Sequence, residues 1–118
     1  MIRGGIVTLR VSDVGRSIRF YVETLGMKLV EESADGSVVI DAGEGFRIGL
    51  REVEPVREAD GRKEEVGAST SVGLYSKLPI DEAISIYENR GIQFGARSSN
   101  GASFRDPDGN TLTLFPPR

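Results

Sequence analysis

The sequence of 118 residues contains no cysteine, no histidine and no tryptophan. Without cysteine there is no disulfide framework, no thiolate zinc site and no thiol nucleophile. Without histidine the chain lacks the commonest metal ligand and the commonest general base near neutral pH. Any acid–base chemistry falls to Asp, Glu, Tyr, Lys or a bound ligand. Excess positive charge is missing too: 15 Lys and Arg stand against 18 Asp and Glu, a formal net charge of -3. No basic face is visible for a nucleic acid. The apolar runs are too short to span a bilayer, and Met1-Ile2-Arg3-Gly4-Gly5 is no signal-peptide apolar region. The expectation is a cytoplasmic protein with neither nucleic-acid nor membrane partners.

The length suits one domain, residues 1–118, with a core that needs no covalent staples. Ile6 to Val11 reads as a strand with Val7, Leu9 and Val11 on one face. Ser12 and Asp13 are N-cap types for a helix whose apolar stripe is Val14, Ile18, Tyr21 and Leu25, closed by Gly26. Three further strands are expected over Met27 to Ser33, Ser37 to Asp41 and Phe46 to Val53, with turns at Asp35-Gly36 and around Gly43 and Gly45.

The composition then shifts. Residues 54–69 are charged, aperiodic and broken by proline and glycine, which is the pattern of an exposed connector. Beyond it the order recurs. Thr70 to Ser76 reads as a strand and Ile80, Ala83, Ile84 and Tyr87 as a helical stripe, with Gly91 as its C-terminal glycine. Strands are expected over Ile92 to Ala96, Ala102 to Arg105 and Thr111 to Phe115, with turns at Asn100-Gly101 and Asp108-Gly109. The reading is α+β: a first βαβββ module over 1–53, a connector, and a second module over 70–118, an internal duplication of pattern rather than of letters.

Leu9-Arg10-Val11-Ser12-Asp13 with Ser17, Phe20-Tyr21 and Leu25-Gly26, and the closing Phe104-Arg105-Asp106-Pro107-Asp108-Gly109-Asn110, resemble the vicinal oxygen chelate superfamily, which includes glyoxalase I, bleomycin-resistance proteins and extradiol dioxygenases. The resemblance implies paired modules forming a curved, incomplete barrel around a central cleft. It implies a homodimer in many members, with the cleft of some completed by the partner subunit. It also implies a metal ligand at one position on each of four strands. Here those positions hold Ile6, Gly49, Ser71 and Thr113, none a good ligand for Zn, Ni, Fe or Mn. No cofactor, metal or catalytic residue is therefore expected.

Strand alternation assigns side chains to the cleft. Ile6, Thr8 and Arg10 fall there from the first strand and Arg47, Gly49 and Arg51 from the fourth. Ser71, Gly73 and Tyr75 follow from the fifth, and Thr111, Thr113 and Phe115 from the last. Apolar and aromatic surface mixed with arginines and hydroxyls suits a small organic ligand, anionic or aromatic. For each arginine singly, a solvated edge or a salt bridge serves as well, and Tyr75 and Phe115 could fill a narrowed cleft as core. Tyr21 and Tyr87 belong to the core, and the Asp-Pro-Asp-Gly turn accounts for Asp106 and Asp108. The leading expectation is a metal-independent binding protein that sequesters a drug or metabolite. Two alternatives stay open. One is a lyase, isomerase or dioxygenase-like enzyme of the same superfamily, working without His-held metal and using Tyr75 or a carboxylate as acid or base. The other is a dimeric interaction module with a filled cleft.

Overall fold

A computed structural model describes residues 1–54, 66–67 and 70–118. Most of the expected connector lies outside the described residues. The first module runs β1 (Val7–Val11), α1 (Val14–Ile18), β2 (Lys28–Glu32), β3 (Val38–Gly43) and β4 (Phe46–Glu52). The second runs β5 (Ser71–Tyr75), α2 (Ile80–Asn89), β6 (Arg97–Ser98), β7 (Gly101–Arg105) and β8 (Thr111–Phe115). Each makes an open four-stranded sheet, in the orders β1-β4-β3-β2 and β5-β8-β7-β6. In both sheets the first and last strands of the module pair in parallel, and the other neighbours are antiparallel. Together these are the two tandem βαβββ modules of a curved, incomplete barrel.

The alternation of β1 and β4 sinks Leu9, Val11, Ile48 and Leu50, each fully buried. Leu112, Leu114, Ala102 and Phe104 do the same for β7 and β8. The helices close these faces with Tyr21, Leu25, Ala83 and Ile84. Burial of each large aliphatic or aromatic side chain is worth about 1.5–3 kcal/mol over its exposure. Val7 departs from the expected pattern: at the start of β1 it stays 39% exposed.

Two elements differ from expectation. The first helix is α-helical only to Ile18 and then widens into a π-helical segment over Arg19–Thr24, where the Leu25 N–H donates to the Phe20 carbonyl at 3.0 Å. The wider turn carries Phe20 inward beside Tyr21, their rings edge-to-face with centroids 5.3 Å apart, although Phe20 lies off a 3.6-residue stripe. Its N-terminus is as expected: the Asp13 carboxylate accepts the Arg16 N–H at 3.0 Å.

The second difference is the strand expected over Ile92 to Ala96. It does not form. Ile92 turns into the core and Phe94 packs edge-to-face on Phe104, 5.2 Å between centroids, so side-chain burial rather than a ladder fixes this segment. A single Gly95 N–H reaches the Ser103 carbonyl at 2.7 Å, and pairing begins only at Arg97 with Ala102.

Candidate functional site

The twelve cleft residues expected from the sequence fall into two sets, one on each sheet. In the first set, β1 and β4 run in parallel register with Thr8 beside Gly49 and Arg10 beside Arg51. Ile6 precedes β1 and stays 49% exposed, while Thr8, Arg10, Arg47 and Arg51 are exposed along the same face. Gly49 is buried: a side-chain carbon built there would meet the Thr8 hydroxyl at 3.1 Å and the Ile6 Cδ1 at 3.3 Å. In the second set, β5 and β8 place Gly73 beside Thr113 and Tyr75 beside Phe115. The Tyr75 and Phe115 rings stack tilted, 5.9 Å between centroids, and the Arg118 guanidinium lies 5.5 Å from the Tyr75 ring centre. Ser71 is exposed and pairs in register with Thr111, one step along from Thr113, whose hydroxyl shares a 2.9 Å hydrogen bond with Ser103.

Of the four family metal positions, Ile6 and Gly49 meet on the first sheet, while Ser71 and Thr113 lie on neighbouring strands of the second, two residues apart in register. Where a first-module ligand would stand, the Ile6 methyl closes over Gly49. The donors at these positions are two hydroxyls, on Ser71 and Thr113, with no imidazole, thiolate or carboxylate among them. This set does not fit a catalytic transition metal. Among the described residues there is also no cluster of three or more Asp and Glu side chains placed to hold a metal ion.

Arg10 and Arg51 carry the electrostatics of the face. Side by side on neighbouring strands, their like charges oppose each other. Neither makes an ion pair or side-chain hydrogen bond among the described residues. Arg51 acts electrostatically on Asp35. Its carboxyl is held below the ordinary carboxylate range chiefly by the Ser37 hydroxyl and N–H, with Arg51 adding a smaller pull.

A contact between the two signature motifs went unforeseen in the sequence. The Ser12 hydroxyl donates to Asp108 at 2.6 Å, and Arg16 Nη2 reaches the same oxygen at 3.1 Å. Fully buried Tyr21 donates its hydroxyl to Asp106 Oδ2 at 2.7 Å. Asn110 Nδ2 bonds Asp106 at 2.8 Å and the Arg10 carbonyl at 3.1 Å. Asp106 Oδ1 meanwhile accepts the N–H groups of Asp108 and Asn110, as the turn requires. Asp106 and Asp108 therefore do hold a tight turn. They also tie the second module's last hairpin to the first module and fix the strand that presents Arg10. The spacing of the motifs in the sequence carried no signal that they would meet.

Two cavities lie at the margins of these sets. One of about 390 Å³ sits between the end of the π segment and α2, and includes Tyr75 alone of the twelve residues. A larger cleft of about 850 Å³ opens at the edge of the second sheet and includes Thr111 alone of them. No side chain of the first set bonds to one of the second among the described residues. Both faces are open in a single chain.

The model of the glyoxalase/bleomycin resistance protein/dioxygenase superfamily matches residues 5–114. The antibiotic-binding protein TnmS3 from Streptomyces sp. CB03234 is similar in structure, with a TM-score of 0.75 at 22% identity over 100% of this chain and 98% of that one. Glyoxalase I of Leishmania major gives 0.76 at 21% identity over 98% and 87%. A member of the same superfamily from Sphaerobacter thermophilus gives 0.72 at 26% identity over 98% of each chain. Among proteins of curated function none matches the chain in sequence.

Proposed function

The chain belongs to the glyoxalase/bleomycin resistance protein/dioxygenase superfamily, and from that premise we propose that it is a metal-independent binding protein which captures a small organic anion on the inner faces of its sheets. The observation that carries the reading is Arg10 beside Arg51, exposed and without an ion-pair partner among the described residues. Two adjacent guanidiniums repel, and an anionic group bridging them relieves that repulsion while gaining charge-assisted hydrogen bonds. Thr8, Ile6 and the Tyr75–Phe115 pair supply the hydroxyl and apolar surface for the rest of the ligand. Capture is reversible and breaks no bonds. Because the faces are open in one chain, a second copy completes the cleft, making the working unit a homodimer. The antibiotic-binding relative is in keeping with this role.

Thermal shift and calorimetry of the intact chain, with a panel of anionic, cationic and neutral aromatic molecules, test the reading. Anionic members should raise the melting temperature. The double variant Arg10→Gln/Arg51→Gln should weaken them by about 100-fold or more, since it removes two charged hydrogen-bonding contacts each worth about tenfold or more. Equal binding by the double variant, or preference for the cations, would overturn it.

A further inference from the structure

The cleft at the edge of the second sheet owes its existence to the strand that does not form. β7 continues to Arg105, but its outer neighbour pairs only over Arg97 and Ser98, and its last bond to that edge ends at Ser103. The chain from Gly91 to Phe94 forms no ladder with β7, and a notch of about 850 Å³ lies there, bounded on the other side by the π segment. Its apolar wall is aromatic. Phe104 is buried at the centre, Phe94 meets it edge-to-face at 5.2 Å, and Phe20 lies tilted at 6.4 Å. Arg90 and Arg105 stand among the lining residues, and no described lining residue is acidic. Arg90 is already positioned: its Nη1 donates to the Thr24 carbonyl at 2.8 Å and its guanidinium lies 5.7 Å from the Tyr87 ring centre. A guanidinium has five N–H donors, so this anchor leaves others for a ligand and lowers the entropy lost on binding it.

We propose that this notch, which meets the inner face of the second sheet at Thr111, is a second binding site distinct from the Arg10–Arg51 face, for a flat aromatic acid whose ring lies against Phe20, Phe94 and Phe104 and whose carboxylate meets Arg90. Three rings set at angles to one another form a slot for a planar ring, through offset and edge contacts. The positive charge beside that slot selects an anion over its neutral analogue. The π segment sets the width, because it is this segment that turns Phe20 inward.

The test uses the intact chain with 2-naphthoate and, as the neutral analogue, 2-naphthamide, followed by amide chemical shifts in NMR titrations. Naphthoate should move the amides of Gly91, Gln93 and Gly95 saturably, and naphthamide should bind about tenfold more weakly. Gln93, exposed on the rim, gives a variant that leaves the packing intact. Gln93→Glu should weaken naphthoate roughly three- to tenfold through like-charge repulsion, with naphthamide unaffected. Arg90→Gln should act in the same direction, and Arg10→Gln/Arg51→Gln should leave these shifts in place. Shifts confined to the residues around Arg10 and Tyr75, equal affinity for the two probes, or no response to Gln93→Glu would overturn the site.

Discussion

At the scale of single residues, Tyr21 joins a core aromatic to a polar junction. Its ring is buried, and its hydroxyl donates to a carboxylate of the other module. Burial first, and the nearby Asp106 next, push its ionisation far above the ordinary tyrosine value. The consequence for stability has a definite sign. Below about pH 10 the phenol is protonated in both folded and unfolded chains and its contribution is fully present. Above that pH the unfolded chain loses the proton while the folded chain keeps it, so stability falls as pH rises. Tyr87, raised by burial in the same direction, adds to the slope. Tyr21→Phe should cost about 1–3 kcal/mol near neutral pH, since it leaves a buried carboxylate oxygen short of a donor. It should also flatten the loss of stability above pH 10. Urea midpoints measured across pH read both effects, and an unchanged alkaline slope would show that Tyr21 is not the group responsible. Tyr21 was legible as core from its place in the helical stripe. Its partner was not, because Asp106 is 85 positions away and only the packing of the modules brings the two together.

At the scale of elements, turns and caps followed from local chemistry. Gly26 and Gly91 adopt positive φ, +81° and +94°, at the helix ends where only glycine does so at little cost. Gly101 is more demanding. It opens β7 at φ +142°, and a side-chain carbon there would collide with the Leu114 carbonyl oxygen, which is backbone and cannot move aside. Gly101→Ala should therefore destabilise the chain by about 1–3 kcal/mol. Gly5→Ala, with open space around it, should be close to neutral. Chemical denaturation compares the pair, and equal midpoints would show that β7 can shift to accommodate the methyl group. The elements that sequence patterning misplaced are those where packing outweighs periodicity. The π segment trades regular helix for an inward Phe20, and Ile92 to Phe94 trades a strand for burial of two apolar side chains. A short run with alternating apolar residues fits both outcomes.

At the scale of the whole molecule, two open sheets are joined through their helices and one hairpin. Tyr87 donates to the Leu25 carbonyl at 3.0 Å, Arg90 to Thr24, and Ser12 and Arg16 hold Asp108. The apolar and aromatic groups on the inner faces are left uncovered, Ile6 at 49%, Tyr75 at 58% and Phe115 at 36%. Such surface, rimmed by arginines, is what association between copies covers. The proposed homodimer predicts a dimer mass by light scattering at micromolar concentration, with Tyr75→Lys shifting the protein toward monomer. A wild-type monomer under those conditions would remove the shared cleft, while leaving the notch at the sheet edge testable in the single chain.

The sequence by itself determined the duplicated βαβββ order, the capping residues, the core faces of most strands and the lack of imidazole or thiolate at the family's ligand positions. Each of these follows from chemistry at a fixed spacing along the chain: strand alternation, helical stripe, positive φ, donor type. Tertiary structure decided which strands lie side by side, and so which arginines become neighbours. It decided that the two motifs would lock together through Asp106, Asp108 and Asn110, and that the sheet edge would open into an aromatic notch. Those outcomes depend on contacts between residues far apart in sequence, where burial and hydrogen bonding compete across the whole fold and no local spacing records the result.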